Sequence, residues 1–398
     1  MPRSIDPETD RRAELAAYLA GELKLSHKEV AGRMSISASN VSRLLSRAAR
    51  LGCYVERVVR DFVPQGVTPH RLEQLRTPSE AQRLVEALAS IRTDTGVGVR
   101  SVRVFPGGAR HTGGGAFDEQ HLVEFGRWAA PHVAGLIGHC DVVAVTWGTT
   151  ISRIIDGIEL QATPHVERAR TIVVPVCAEV EDFAGKPQSS SVLASRLQEV
   201  MSGGGGERPM LTRIPAFIPR RFLDTERERG VREMIGASPS YCRIFGGAGR
   251  KGRRSADGGG LVARASMLLT SVGSAEHPVG LNYNELLDAG DITPKKLKQL
   301  VVGDIGGILI HRLGKGTTAD EVLQLNRMWT GLQFDALKSL AVTAQMAAPP
   351  PFKPGVVVAC CGRNRAEILE AVVRRGLVNE LILDDDAAIA LHERLTGA

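Results

Sequence analysis

Residues 26–51 predict two short helices joined by a tight turn, and no other stretch constrains the fold as strongly. Ser26 and Glu29 form a capping box for a helix over residues 27–34, since the serine accepts an amide and the glutamate reaches back to the cap. Residues 35–37 form the turn, and Ser37 caps a second helix that extends to about residue 51. Apolar side chains fall where two crossed helices must touch, at Val30, Ala31, Met34, Ile36, Val41, Leu44 and Leu45.

The outward face of the second helix has the composition of a surface that reads DNA. Residues 30–55 contain four arginines and no acidic side chain. Small polar residues at the start of a helix, with arginines behind them, suit a major groove bordered by phosphates. The residues predicted to contact double-stranded operator DNA are Arg33, Ser37, Ser39, Asn40, Ser42, Arg43, Arg47 and Arg50. An ordinary helical pair with a solvated basic face is the alternative interpretation.

Two details refine this helix-turn-helix prediction. Asn40 and Arg43 lie near the start of the second helix, so we expect them to read bases, whereas Arg33, Arg47 and Arg50 mostly hold phosphates. The turn opens with Ser35, where glycine is usual because that position takes a positive φ. Serine can adopt that conformation at some cost, so the motif is retained.

The charge distribution agrees with a basic N-terminal segment. Of the net charge of +6, residues 1–60 contribute +4, from eleven Lys and Arg against seven Asp and Glu. No run of eighteen apolar residues occurs, and residues 1–15 lack the apolar core of a signal peptide. We therefore expect a cytoplasmic protein without a membrane span.

The cysteines predict neither disulfides nor a metal site. Six cysteines are spread along the chain without a C-x-x-C pair, so buried thiols in a reducing compartment are expected. Cys360 and Cys361 are adjacent, and a redox or metal pair is the alternative there. No histidine clusters beside them in the sequence, and adjacent cysteines rarely bridge without strain. No metal or other cofactor is predicted.

Beyond the basic segment, apolar strands alternate with amphipathic helices, which indicates an α/β domain with a mostly parallel sheet. The predicted domains are a winged-helix-like helix-turn-helix domain over residues 1–62, a linker and connecting helix over 63–95, and an α/β effector and oligomerisation domain over 96–398. Predicted strands include residues 99–105, 141–146, 171–176, 267–272, 307–311, 356–360 and 380–383. A wing is expected at 56–63 and loops at 202–206 and 246–260, while residues 326–340 are expected to be irregular.

Three predicted strands end in turns that suit an anion. The strand at 141–146 is followed by Gly148, the strand at 267–272 by Gly273, and the strand at 356–360 by Gly362. In open α/β sheets ligands bind at the carboxyl ends of strands, where helix N-termini present free amides. Glycine at each turn more often marks only a tight bend, but three such turns in one domain favour an anion site, and phosphate is the simplest candidate. No nucleotide-binding glycine motif is present.

Taken in order, these motifs resemble the SorC/DeoR-type sugar-responsive transcriptional regulators. After the helix-turn-helix, the motifs lie at residues 146–150 (TWGTT), 271–274 (SVGS), 303–307 (GDIGG) and 361–365 (CGRNR), followed by 376–379 and 384–385. The resemblance covers nearly the whole chain. It implies an effector domain related to sugar-phosphate isomerases and deaminases without their catalysis, a small phosphorylated sugar as effector, and a homo-tetramer or dimer.

The resemblance also implies an effector site, formed by Gly148, Thr149, Thr150, Gly273, Ser274, Asp304, Gly362 and Arg365. Arg365 stands where the family usually has lysine, and Ser271 replaces a glycine. An arginine can still bind phosphate, through two parallel N–H groups of its guanidinium rather than through the single ammonium group of a lysine. An ion pair with a carboxylate such as Asp384 is the alternative role for Arg365.

The rival function is a sugar-phosphate isomerase or deaminase with an accessory DNA-binding segment. Such an enzyme needs a carboxylate base near the open sugar chain, and Asp304, Asp384, Asp385 and Glu367 are the candidates. Each also has a structural interpretation, because Asp384 and Asp385 can cap the last helix and Asp304 can cap the segment after it.

Overall fold

A computed structural model describes residues 7–21, 25–50, 80–105, 119–161, 171–179, 187–202, 214–223, 226–246, 260–276, 282–290, 292–312, 316–347 and 353–397. The chain divides into two compact units, Met1–Gly66 and Val67–Ala398. The wing predicted at residues 56–63, and most of the loops predicted at 202–206 and 246–260, lie outside the described residues.

The first unit contains three helices, α1 (Pro7–Gly21), α2 (His27–Met34) and α3 (Ala38–Arg50). Small side chains of α1 pack against α2 and α3 in one apolar cluster, made of Ala13, Ala16, Ala17, Leu19, Val30, Ala31, Val41, Leu45 and Ala48. The capping box is present, since the Ser26 amide donates to Glu29 Oε2 at 2.8 Å and the Glu29 amide donates to Ser26 Oγ at 3.4 Å. The Asn40 amide donates to Ser37 Oγ at 3.3 Å, so both predicted caps are confirmed.

Ser35 adopts the left-handed conformation at the end of α2, with φ 52° and ψ 46°. Its amide donates to the carbonyls of Ala31 and Gly32, which closes the last turn of the helix. Among the described residues it is the one non-glycine residue with a positive φ. The turn therefore needs the conformation that glycine would supply, and a serine provides it.

The second unit is built on a six-stranded sheet. Its strands are β1 (Ser101–Phe105), β2 (Val142–Val145), β3 (Ile172–Pro175), β4 (Met267–Thr270), β8 (Gly355–Cys360) and β9 (Glu380–Asp384). They lie side by side in the order β1-β9-β8-β4-β2-β3. Every neighbouring pair is parallel, which confirms the predicted α/β class. Alternate residues of the buried strands enter two apolar clusters, one on each face.

Helices cover both faces of this sheet. One face packs against α5 (Glu119–Ile137), α6 (Thr149–Gln161) and α7 (Ser190–Ser202). The other cluster includes residues of the remaining helices. These are α4 (Glu80–Ala89), α8 (Glu226–Gly236), α9 (Pro239–Phe245), α10 (Leu261–Arg264), α11 (Asn282–Gly290), α12 (Pro294–Leu300), α13 (Gly316–Met328), α14 (Phe334–Met346), α15 (Ala366–Arg374) and α16 (Asp385–Thr396).

Two predictions about this unit are wrong. The strand expected at residues 267–272 is two strands, because the chain leaves β4 at Ser271 and starts β5 (Val272–Ser274) in a second, antiparallel sheet with β6 (Val301–Ile305) and β7 (Ile308–His311). Residues 326–340, expected to be irregular, are largely helical, in the end of α13 and the start of α14. The apolar positions of α14, at Leu337, Leu340, Ala341 and Ala344, follow a helical period that the polar residues between them hide.

No helix in the described part of the chain is long and apolar enough to cross a membrane.

Candidate effector site and DNA-reading helix

The carboxyl ends of β2 and β4 are joined by two buried threonines. Thr146 Oγ1 donates a hydrogen bond to Thr270 Oγ1 at 3.1 Å. The β6–β7 turn closes over this pair, since a Cβ added to Gly306 would lie 3.0 Å from the Thr146 methyl group. The antiparallel sheet therefore approaches the edge of the parallel sheet at which two of the predicted turns lie.

Gly148 caps the helix that follows β2. Its φ of 127° is a conformation that side chains rarely adopt, and its carbonyl accepts the Ser152 amide at 3.0 Å. Its own amide donates to the Gln188 carbonyl at 3.1 Å, so that amide is not available to a ligand. Thr149 is exposed and Thr150 half-buried in the first turn of α6, where amides have no intrahelical acceptor. This turn has the geometry that favours an anion.

Asp304 lies against Gly273 in the antiparallel sheet. The two residues are cross-strand partners, and a Cβ on Gly273 would meet Asp304 Oδ1 at 2.2 Å, so glycine is required there. The Asp304 side chain is buried, and Oδ2 accepts the Gly307 amide at 3.1 Å. Burial raises its pKa to about 6, against the opposing effects of that amide, of Arg365 and of Tyr283.

Tyr283 and Arg365 complete the surroundings of Asp304. The Tyr283 side chain is fully buried on α11, and its hydroxyl has no partner in hydrogen-bond geometry, although Asp304 is close enough to affect its pKa. Burial raises the pKa of Tyr283, and the positive charge of Arg365 acts in the opposite direction. The structure therefore brings Gly273, Asp304 and Arg365 together.

Besides Gly148, two more of the predicted ligand residues have other partners. The Gly362 amide donates to the Asp384 carboxylate at 3.0 and 3.1 Å, so this turn uses its amide internally. Ser274 is buried, and its hydroxyl accepts the Glu276 amide at 3.3 Å. Asp384 also caps α16 through the Ala387 amide at 2.8 Å, which confirms its structural interpretation, and Glu367 pairs with Arg312.

Glu179 is a functional candidate that the sequence did not indicate. It follows β3 near the first turn of α7, and both of its carboxylate oxygens are buried without a hydrogen-bond partner. Burial raises its pKa, and the nearby Ser191 lowers it without reaching hydrogen-bond geometry. A buried carboxylate without donors is costly, and such a group calls for an explanation. No motif marks this position or Tyr283, because each becomes unusual only through its burial.

An aromatic pair lies directly before Gly148. Trp147 packs edge-on against the buried Trp329, with ring centroids 5.2 Å apart and planes at 69°. The Trp329 indole donates to the Leu332 carbonyl at 3.0 Å, which fixes the deeper ring.

In the first unit, α3 presents the predicted DNA-reading residues on its open side. Ser37, Ser39, Asn40, Ser42 and Arg43 are exposed, as is Arg33 on α2. Arg47 is half-buried, and the side chain of Arg50 lies outside the described part of the chain. The apolar side of α3, at Val41, Leu45 and Ala48, is buried against the other two helices. None of these exposed residues is acidic.

At the level of sequence, no protein-family model and no curated protein matches this chain. Solved structures do. A DeoR family transcriptional regulator from Listeria monocytogenes superposes with a TM-score of 0.53 at 17% identity, over 80% of this chain and 99% of that one. A domain of a transcriptional repressor from Vibrio fischeri, assigned as sugar-binding, gives 0.50 at 16% identity, over 80% and 98%. A probable sor operon regulator from Shigella flexneri gives 0.50 at 14% identity, over 79% and 98%.

The α/β fold of this chain is thus the fold of solved transcriptional regulators. The predicted resemblance to SorC/DeoR-type regulators is confirmed at the level of the fold.

Proposed function

We propose that this chain is a one-component transcriptional regulator that binds operator DNA through α3 and a small phosphorylated sugar through its α/β unit. The observation that carries the proposal is the pairing of two features in one chain. One is a helix-turn-helix with an exposed basic second helix, and the other is an α/β unit with the fold of known regulators. The Vibrio domain is assigned as sugar-binding by its description, which supports the same ligand class here.

In this proposal the phosphate binds at the first turn of α6, beside Arg365. The amides of Thr149 and Thr150 supply neutral donors, the Thr149 hydroxyl adds another, and Arg365 supplies the charge. Gly148 and Gly273 allow the close backbone approach, and Gly362 and Ser274 support the turns that surround the ligand.

The other end of the ligand faces Asp304 and Glu179. Glu179 follows β3, whose end is three strand spacings, or about 14 Å, from the end of β8, whereas Asp304 lies close enough to Arg365 for the two charges to interact. Carboxylates accept hydrogen bonds from sugar hydroxyls and repel a second phosphate, so a monophosphate is favoured over a bisphosphate.

The test compares Arg365→Ala with Arg363→Ala, a matched control on the same turn whose guanidinium pairs with Glu393 at the surface. A thermal-shift screen of pentose and hexose phosphates identifies the effector, since a ligand at a hundred times its Kd adds about 2.7 kcal/mol to stability. An operator is selected from a random DNA pool. Arg365→Ala is expected to retain DNA binding and lose the response to the effector, whereas Arg363→Ala retains both.

The same variants separate the regulator from the enzyme alternative. Turnover of any screened sugar phosphate by the purified chain would contradict the proposed role, and so would an Arg365→Ala variant that responds to the effector with unchanged affinity.

A further inference from the structure

Three side chains with metal-ligating chemistry meet at the carboxyl ends of β8 and β9. One ligand atom from each of His121, Cys361 and Asp384 lies within 4.8 Å of the other two. His121 comes from the first turn of α5, Cys361 follows β8, and Asp384 ends β9. The histidine and the aspartate are 263 residues apart in the chain, so only the fold brings them together. The sequence argued against a metal here because no histidine lies beside the cysteine pair, and the fold supplies one.

The cluster is enclosed but remains accessible. The exposed fraction is 2% for Cys361, 1% for the Asp384 side chain and 19% for the His121 side chain. The imidazole therefore lies at the opening of a site whose thiol and carboxylate lie deeper. A cation entering past His121 meets all three ligand atoms in one place.

Asp384 is held as metal-binding carboxylates usually are. Its Oδ1 accepts the Ala387 amide at 2.8 Å and the Gly362 amide at 3.0 Å, and its Oδ2 faces His121 Nε2 at 2.8 Å. Hydrogen bonds of this kind orient a ligating carboxylate. Asp385 and Asp386 add negative charge near the imidazole.

The three kinds of donor atom indicate which metal ion the cluster would bind. Imidazole nitrogen, thiolate sulfur and carboxylate oxygen together are the donors of zinc sites, at bond lengths of about 2.0–2.3 Å. Tetrahedral geometry with those bonds separates neighbouring ligand atoms by about 3.3–3.7 Å. To reach that geometry, the distance of 2.8 Å between His121 Nε2 and Asp384 Oδ2 must increase by less than about 1 Å, and the Cys361 thiol must move toward both atoms.

We propose that His121, Cys361 and Asp384 bind one zinc ion, with the fourth position open to water or to a ligand. On binding, the Cys361 S–H bond breaks, its proton passes to solvent, and the thiolate sulfur bonds to the metal without any change of oxidation state. The ion replaces the direct His121–Asp384 hydrogen bond and fastens the first turn of α5 to the two strand ends. Because Asp384 also holds the turn at Gly362, the metal is linked to the effector edge.

Cobalt(II) tests the site, because a cobalt–thiolate bond gives a charge-transfer band in the near ultraviolet that oxygen and nitrogen ligands do not give. The reduced full-length chain is freed of metal with a chelator, separated from it, and titrated with Co²⁺. We expect one Co²⁺ per chain, the charge-transfer band, and loss of that band when Zn²⁺ is added. A rise in Tm with Zn²⁺ that a chelator reverses is also expected.

The adjacent cysteine is a matched control. Cys361 belongs to the apolar cluster on one face of the sheet and Cys360 to the cluster on the other, so their thiols face opposite ways. Cys361→Ser is expected to abolish the band and Cys360→Ser to retain it. Since Cys361→Ser alters a buried position, His121→Gln at the opening provides a second variant, and it is expected to weaken Co²⁺ binding at least about 100-fold.

Three results would overturn the proposal: no charge-transfer band in the wild type, a band that survives in folded Cys361→Ser, or a band that depends on Cys360. An undiminished affinity for Co²⁺ in folded His121→Gln would do so as well. In those cases the cluster is a buried imidazole–carboxylate hydrogen bond beside an inert thiol.

Discussion

Burial controls the chemistry of Asp304 more strongly than any of its neighbours. The Gly307 amide, Arg365 and Tyr283 all favour its ionised form, yet its pKa is raised to about 6 because the carboxyl group is buried. The folded chain therefore binds the Asp304 proton more tightly than the unfolded chain, whose ordinary value is 3.8. By linkage, stability is lost as the pH rises from about 4 through 6.

Asp304→Asn removes this titration and is expected to gain stability relative to the wild type as the pH rises. The amide oxygen of asparagine can still accept the Gly307 amide. The difference in unfolding free energy between Asp304→Asn and the wild type is therefore expected to be larger at pH 7.5 than at pH 4.5, by about 1–3 kcal/mol. Urea unfolding without effector at the two pH values measures it. If the difference in unfolding free energy between Asp304→Asn and the wild type does not change with pH, the raised pKa of Asp304 is contradicted.

For single residues, the sequence predicted which side chains belong to the candidate site but not whether each is buried or hydrogen-bonded. Gly273 and Arg365 were predicted at one site because each follows a predicted strand, and Asp304 was added through the resemblance to a family. Asp304 lies against Gly273 through the pairing of β5 with β6, which the sequence did not indicate. Tyr283 and Glu179 were missed, since nothing in the adjacent residues indicates that a hydroxyl or a carboxylate is buried without a partner. The amide of Gly362 was expected to face a ligand, but it is taken by Asp384, a residue 22 positions away.

The helix-turn-helix was predictable because its signals are local. Ser26 and Glu29, and likewise Ser37 and Asn40, are three residues apart, so the sequence contains both partners of each cap. The helices at residues 326–340 were missed because polar residues interrupt their apolar positions, and those positions are recognised only through their burial in the core. The split at Ser271 was missed because β4 and β5 are almost continuous in sequence and separate only through their pairing partners.

Ser35→Gly is expected to stabilise the three-helix unit. The left-handed conformation costs an L-residue about 1–2 kcal/mol, and glycine returns about 0.5–1 kcal/mol of that as chain entropy, which leaves a net gain of roughly 0.5–1 kcal/mol. Thermal unfolding of Ser35→Gly and Ser35→Ala measures it, with alanine as the control that retains the strain. Equal stability of the two variants would show that the turn relaxes in solution.

Arg43 and Arg50 of α3 are expected to differ in their effects on DNA binding. Arg43→Ala should cost about 1–3 kcal/mol and relax the preference among operator variants, because Arg43 lies near the helix start that enters the groove. Arg50→Ala should weaken binding to all sequences about equally and lower the salt slope by about one. Fluorescence anisotropy on an operator series at several salt concentrations checks both. An unchanged preference in Arg43→Ala would contradict the base-reading role.

For the whole molecule, the order of the strands in the sheet could not be predicted from the sequence. Alternating strands and helices predicted a parallel sheet, but the position of β4 between β2 and β8 depends on crossovers that no local pattern records. The same limit applies to assembly, since a surface that pairs two copies has no fixed motif.

We expect the full-length chain to be a dimer or tetramer. A single helix-turn-helix contacts only a few base pairs, so two or more are usually presented together on a palindromic site. Light scattering at micromolar concentration, with and without effector, measures the mass. A monodisperse monomer under both conditions would contradict this expectation.

The contact between Trp147 and Trp329 gives the molecule an optical property of its own. Indole rings whose centroids are 5.2 Å apart couple electronically, so the circular dichroism of their strong far-ultraviolet transition should contain a paired positive and negative band that depends on their mutual angle. Trp329 is fixed by its hydrogen bond to Leu332, so a change in that signal reports movement of Trp147. The third tryptophan, Trp128, is partly exposed on α5, and Trp128→Phe would remove its background. A ligand that binds beside Gly148 should therefore change the circular dichroism spectrum, and its binding could be followed without a label.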